Sequence, residues 1–261
     1  MDPMDPSRSD GPELDLLLEV VRRGSAFEAF ERSVADKREL AAALSVSRAT
    51  AHRIIRSFES HGFIARADGC YELTPLGEIV GDAGRRFHED VATAVDLEVL
   101  LRALPDEVAF DHRLFADAVV TRATYDDPYR PMKRFIDLFE GAPRIRAFNK
   151  SFLEPMYIDV AHEQLLAGMD AEIVYEPGVL ELVTAEYPDI AAEVFELDTM
   201  ASYVHEDLPI ALAVFDDRVG LGVHTEEMGT PIAWIDTDDP DAIAWGIDLF
   251  ERYRTTATRL G

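Results

Sequence analysis

The sequence is short of cysteine, of lysine and of long apolar runs. A single cysteine, Cys70, excludes an intramolecular disulfide framework and a zinc site built on clustered cysteines. No apolar stretch approaches the roughly 18 residues that a membrane-spanning helix needs. The opening MDPMDPSRSDGPE has neither a basic n-region nor an apolar h-region, so the expectation is a cytoplasmic chain with no membrane partner. Lysine is confined to Lys37, Lys133 and Lys150, and 51 acids face 25 bases for a net charge of −26. Acids spread along the whole chain with so little lysine suggest a halophilic protein, adapted to a multimolar-salt cytoplasm. Such a charge repels itself, and salt screens the repulsion, so poor stability at low salt is expected. An ordinary acidic protein is the alternative.

What is present is organised in two parts. Residues 1–12 are rich in Pro, Asp and Ser and are expected to be a disordered tail. Leu14, Leu17, Leu18 and Val21 recur at helical spacing, and Ser25 is placed to cap a second short helix carrying Phe27 and Phe30. DKRELAAAL (36–44) reads as a helix capped by Asp36, SVS (45–47) as a tight connection, and RATAHRIIRSFESHG as a helix capped by Ser47 and ended by Gly62. FIARA and CYEL flank Asp68-Gly69, a two-residue hairpin signal. Thr74 and Pro75 then open a helix running to about residue 103. Helix, helix, turn, helix, hairpin, helix is the order of a winged helix-turn-helix over 13–90, with 91–104 as a linker or dimerisation helix.

Residues 105–261 read as a mixed-sheet α/β domain. Strands are expected at RIRAF, AEIVY, EVFEL, ALAVF, VGLGVH and IAWID, and helices at 155–167 and 178–187. Helices around a Pro-rich turn are expected within 110–143. The last helix opens at Asp239-Pro240 and is expected to bury Ile243, Ile247, Phe250 and Tyr253.

The segment from Ser45 to Arg66 carries four arginines and one acid, Glu59, a basic island in an acidic chain. Ala51, Ile54 or Ile55, and Phe58 line the inward stripe of its helix. A helix in the major groove needs base-reading side chains in its N-terminal half, where Arg48, Ala49 and His52 stand. Ser47, Thr50, Arg53 and Arg56 suit phosphates, and Arg66 lies at the base of the wing. Double-stranded DNA is therefore the expected partner. The alternatives are arginines that merely neutralise acids elsewhere, or a protein-binding module.

Through LAAALSVSRATAHRIIRSFESHGFI and YELTPLGEIV the N-terminal third resembles the ArsR/MarR-type winged module of archaeal transcriptional regulators. Through LPDEVAF, AVVTRATYDDPYRP, AGMDAEIVY and DDPDAIAWGIDLFERYR the remainder resembles the methanogenesis-regulator middle-domain family. The resemblance implies a homodimeric sensor-effector arrangement and a C-terminal domain distantly like the phospholipase D fold. That enzyme class needs His-x-Lys-x4-Asp, and HEQLLAGMD has His162 with Gln164 in the lysine position. The domain is expected to be catalytically degenerate, with no cofactor. A phosphodiester-processing enzyme is the rival reading.

Bases in the C-terminal part cluster at 122–150, and only Arg218 follows between 151 and 251. Arg122, Tyr125, Tyr129, Arg130, Arg144, Arg146, Asn149 and Lys150 could form a pocket for an anionic small-molecule effector. Salt bridging to nearby acids is the commoner outcome for such residues. His162, His205 and His224, with Glu206 and Glu226 beside two of them, lack the local spacing of a metal site, so structural histidines are expected. Cys70 has no resolving partner nearby and is expected to pack without redox function.

Overall fold

A computed structural model describes residues 12–32, 34, 36–150, 155–225 and 230–260. The expected tail at 1–11 and Glu226 lie outside the described residues. The chain divides into two compact units, Met1–Ala92 and Thr93–Gly261.

The first unit contains α1 (Pro12–Arg22), α2 (Gly24–Glu31), α3 (Lys37–Ala43), α4 (Arg48–Ser60), β1 (Ile64–Ala67), β2 (Cys70–Leu73) and most of α5 (Pro75–Asp96). Its core is aromatic: Phe27 meets Phe58 at 4.6 Å between ring centroids, and Phe30 and Phe63 lie against the same ring. Helix α5 is brought close by glycine. A Cβ on Gly77 would stand 1.9 Å from the Phe63 carbonyl oxygen, and one on Gly84 2.8 Å from Val20. Ser25 does not cap α2. That helix begins one residue earlier, with Arg23 in the cap position and no side-chain cap bond.

The continuous helix expected to reach residue 103 is broken. Leu97, fully buried in the second unit's core, separates α5 from α6 (Glu98–Ala103). The Asp96 carbonyl accepts a hydrogen bond from Arg122 at 2.7 Å, one helix-terminal acceptor satisfied by a side chain.

The second unit is built on an eight-stranded sheet. Its strands are β3 (Val119–Arg122), β4 (Arg144–Asn149), β5 (Asp170–Tyr175), β6 (Met200–Val204), β7 (Ala211–Val214), β8 (Val219–His224), β9 (Pro231–Thr237) and β10 (Thr258–Arg259), in the order β10-β6-β5-β4-β7-β8-β9-β3. The pairs β4–β5 and β5–β6 are parallel and the others antiparallel, so the sheet is mixed. One face packs with α6 and α11 (Pro240–Arg254) around Phe148, Leu212, Leu221 and Phe250. The other carries α7 (Arg130–Phe139), α8 (Pro155–Leu166), α9 (Pro177–Glu186) and α10 (Pro188–Phe195) around Ile145, Ala171, Ala213 and Trp234. Residues alternate between these two clusters along β4, as a pleated strand buried on both faces requires.

Three expectations change here. EVFEL lies at the end of α10 and beyond it, not in a strand: Pro188 opens that helix, and Ala191 and Val194 face inward three residues apart. The strands β3, β6 and β10 were not expected. The inward stripe of α11 is Ala242, Gly246, Leu249 and Phe250, with Ile243 and Ile247 only half-buried. Gly246 sits on that stripe because a Cβ there would meet Val219 at 2.7 Å.

Candidate nucleic-acid interface

Helix α3 starts where the Asp36 carboxylate accepts from the backbone N–H groups of Arg38 (2.7 Å) and Glu39 (3.1 Å). The Glu39 and Arg38 N–H groups hold that carboxyl below its ordinary range, with smaller help from the charges of Arg38 and Arg48. The first turns of α3 and α4 therefore act on one carboxylate.

The α3–α4 connection is a Schellman turn. The Val46 N–H donates to the Ala41 carbonyl at 3.0 Å and the Ser45 N–H to Ala42 at 3.2 Å. Ser45 takes the left-handed conformation, φ 53°, that usually falls to glycine. Helix α4 ends in the same way. Gly62 has φ 72°, and the Phe63 and Gly62 N–H groups donate to Phe58 and Glu59.

Ser47 caps α4: its Oγ accepts from the Thr50 N–H at 3.1 Å and lies 3.0 Å from the Thr50 hydroxyl. That hydroxyl also accepts from Arg53 Nη2 at 3.5 Å. Ala51, Ile54, Ile55 and Phe58 are buried, so both isoleucines belong to the inner stripe. Arg48, Ala49, His52, Arg53 and Arg56 are exposed on the opposite side, and Ser47 is exposed at the helix start.

Among the described residues, Arg48, Arg53, Arg56 and Arg66 form no ion pair within 4.0 Å, although the chain holds twice as many acids as bases. Arg66 is exposed on β1, its guanidinium 5.6 Å from the centroid of the Tyr71 ring. The hairpin turns through Asp68 (φ 50°) and Gly69 (φ 91°), the paired positive φ values of a tight hairpin. Asp68 puts a carboxylate at the tip, which disfavours phosphate there. Thr74 ties the hairpin back to α4: its hydroxyl donates to the Gly62 carbonyl at 2.6 Å and accepts from the Gly77 N–H at 3.1 Å. Cys70 is a half-buried free thiol on β2.

Lys37 and Arg38 were missed by sequence reasoning. Both are exposed in the first turn of α3, and two adjacent bases in so acidic a chain were the available signal.

The C-terminal candidates are not gathered into one cleft. Arg144 pairs with Asp170 (2.9 Å) and Arg146 with Glu172 (3.2 Å), their register partners on β5. Arg122 is bonded to the Asp96 carbonyl. Lys150 donates to the Leu208 carbonyl at 2.6 Å and pairs with Glu176 at 3.1 Å. Tyr125, Tyr129 and Arg130 are exposed around the start of α7. The many acids supply local partners, which is why the cluster disperses. Of the three histidines weighed for a metal site, His162 meets Glu193 at 2.8 Å, His205 contacts the Tyr253 ring, and His224 ends β8. Gln164, in the position where a lysine would be needed, accepts from the Gly141 N–H. No helix among the described residues is long and apolar enough to cross a membrane.

Residues 128–256 match the family model described as the methanogenesis regulatory protein FilR1, middle domain, and residues 12–96 match the HVO_A0261 N-terminal domain. No curated protein matches the chain. Solved structures with similarity include TrmBL2, an archaeal chromatin protein described as showing a novel mode of DNA binding, at 16% identity over 94% of this chain and 99% of that one, with a TM-score of 0.44. Nuc from Salmonella typhimurium, a phospholipase D family member, has 13% identity over 55% and 98%, with a TM-score of 0.44. NucT from Helicobacter pylori has 12% identity over 55% and 98%, with a TM-score of 0.44. At these scores the likenesses bear on neither activity nor partners.

Proposed function

We propose that the chain is a DNA-binding transcriptional regulator whose first unit is a winged helix-turn-helix of the ArsR/MarR type and whose second unit is a sensor. The carrying observation is that the arginines of α4 and the hairpin stay unpaired and exposed while Arg134, Arg144, Arg146, Arg218 and Arg254 are paired with acids. Arg130, Arg252 and Arg259 also form no ion pair among the described residues, so it is the grouping of exposed arginines on one capped helix and its wing that suits a polyanion. The family match of residues 128–256 to a regulatory protein supports the same reading.

Arg48, Ala49 and His52 read base edges; Ser47, Thr50, Arg53 and Arg56 hold phosphates; Arg66 anchors the wing. Lys37 and Arg38 extend the phosphate-binding surface. In molar salt the Debye length falls to about 3 Å, so affinity leans on short-range bidentate contacts, which arginine supplies better than lysine. The chain acts by binding, without catalysis, in a salt-rich cytoplasm.

The same reading makes it a homodimer. Leu14, Leu17, Leu18 and Val21 of α1, and Leu76, Ile79, Phe87 and Val91 of α5, are exposed. Large exposed apolar side chains grouped on helices mark an interaction face. A two-fold dimer places two α4 helices on half-sites about one helical turn apart.

Chromatin immunoprecipitation with sequencing, in native salt, tests this with wild type and Arg48→Ala/Arg53→Ala. The expected result is a palindromic motif in wild type that the variant loses. No enriched sequence in either protein would instead favour a protein-binding role for α4.

A further inference from the structure

We propose that the second unit binds a small, neutral, largely apolar molecule in the cavity between the sheet and helices α7 to α10. The inference deepens the regulator reading, and rests on it only in naming that molecule an effector.

The cavity measures about 180 Å³ and is walled by Phe135, Ile158, Leu165 and Phe195 against Ile173 and Trp234 of the sheet. A dry apolar cavity of about 150 Å³ takes up benzene, so this one has room for a single substituted ring. Close packing leaves few voids of that size in an ordinary core.

The polar residues in its lining are Asn149, His162, Tyr175, His224 and Trp234, with His162 paired to Glu193. Trp234 of β9 lines the cavity with its apolar ring, while its indole Nε1 is itself buried over Gly220, which does not line the cavity. The ring reaches that position because β8 has Gly220 beneath it, where a Cβ would come within 2.2 Å of the indole. Asn149, the one sequence-predicted ligand residue among those lining the cavity, adds a side-chain amide.

Charge argues against an anion. Arg134 of α7 is held, with Arg218, by the fully buried Asp236. Arg144 and Arg146 are taken up by β5 acids and do not line the cavity. His224 does line it, but burial, with Lys150 adding to the effect, pushes its imidazole down to about 4, so it is uncharged near neutrality. An anion entering here would lose its hydration with no unpaired cation among the described lining residues to receive it.

Three near-isosteric probes separate the possibilities: acetophenone (neutral, one acceptor), cumene (no acceptor) and benzoate (anionic). Titration of the full chain by ligand-observed NMR in high salt is expected to show saturable binding of acetophenone and cumene, with benzoate at least about tenfold weaker. Ala161→Leu, which adds volume from α8 into the cavity, should block acetophenone while leaving the fold's circular dichroism unchanged. Benzoate binding as tightly as acetophenone, no binding of any probe, or undiminished binding in Ala161→Leu would overturn the site. Operator affinity measured with and without saturating acetophenone tests the output separately. Binding with no change in DNA affinity keeps the site and overturns its role as an effector site.

Discussion

The Ser57 hydroxyl donates to the Glu19 carboxylate at 2.6 Å, joining the flank of α4 to α1 across 38 residues of sequence. Glu19 also pairs with Arg23 at 3.1 Å and lies 3.9 Å from His61 Nδ1. The helix read as entering DNA is thus held from behind by one partly buried acid. A hydrogen bond to a charged group contributes about 1.5–3 kcal/mol. Ser57→Ala should lower the first unit's unfolding free energy by about 1–2 kcal/mol, and Ser57→Ala/Glu19→Gln should cost less than the two single changes added together. Chemical denaturation followed by helix content measures both. Strict additivity would show that the two side chains are not coupled.

Gly77 meets the Phe63 backbone with no room for a side chain, since a Cβ would sit 1.9 Å from the carbonyl oxygen. Backbone cannot swing aside as a flexible side chain can, so Gly77→Ala should cost about 3 kcal/mol or more. Both tryptophans, Trp234 and Trp245, lie in the second unit. The first unit's helical signal should therefore fall while tryptophan fluorescence keeps its native maximum. Gly24→Ala is the control, because a Cβ there meets nothing within 4 Å. A Gly77→Ala protein as stable as Gly24→Ala would show that α5 can stand off from Phe63.

The first unit was the more legible part because its signals are local. Asp36, Ser47, Gly62, Asp68-Gly69 and Thr74-Pro75 each determine a cap or turn within a few residues. Ser45 illustrates the limit: the Schellman turn needs a left-handed residue there, and serine gives no sign of it. In the second unit the informative contacts are distant. Arg134 finds Asp236 102 residues away, which no spacing rule anticipates. EVFEL has strand composition, yet the helix opened by Pro188 runs into it. The arginine cluster at 122–150 was visible, but its partners on β5 depend on a parallel register that composition does not encode.

The α1/α5 face predicts oligomeric state. Ile79 is 67% exposed and Phe87 54%. A carboxylate placed among such side chains would be desolvated on association and would repel its symmetry mate. Phe87→Glu should convert the dimer to a monomer by light scattering in high salt, with helix content unchanged. It should also weaken operator binding far more than binding to a single half-site, because a dimer engages two half-sites together. A monomeric wild type would remove this face from the proposal.

Asp236 is fully buried between Arg134 (2.7 and 3.0 Å) and Arg218 (2.9 Å). Removing one charge from a buried pair leaves the others uncompensated, typically at a cost of about 3–5 kcal/mol. Asp236→Asn leaves Arg134 without its carboxylate and Arg218 with only Asp238 at 3.4 Å, and loosens α7, one wall of the cavity. The second unit should unfold at lower denaturant, and acetophenone binding should fall with it. Replacing all three residues with apolar ones of similar volume should recover stability, because a buried ion cluster contributes specificity more than net energy. No recovery would mean that the cluster itself stabilises the unit.

His224 makes the second unit's stability depend on pH. Its imidazole, held down to about 4 by burial and then by the Lys150 charge, starts from an ordinary value of 6.5. The unfolded chain therefore takes up this proton first as pH falls. Stability from the uncharged ring is complete above about 6.5, erodes between 6.5 and 4, and changes no further below that. His224→Gln, which cannot titrate, should flatten this part of the profile when unfolding is measured from pH 7.5 to 4.5. Carboxylates with lowered values, such as Asp36 in the first unit, add their own loss at lower pH, so the comparison is the difference between the two proteins and not either curve alone. Identical curves would show that the imidazole is as easily protonated in the folded unit as in water, and the cavity would then have to be read as able to hold a charge.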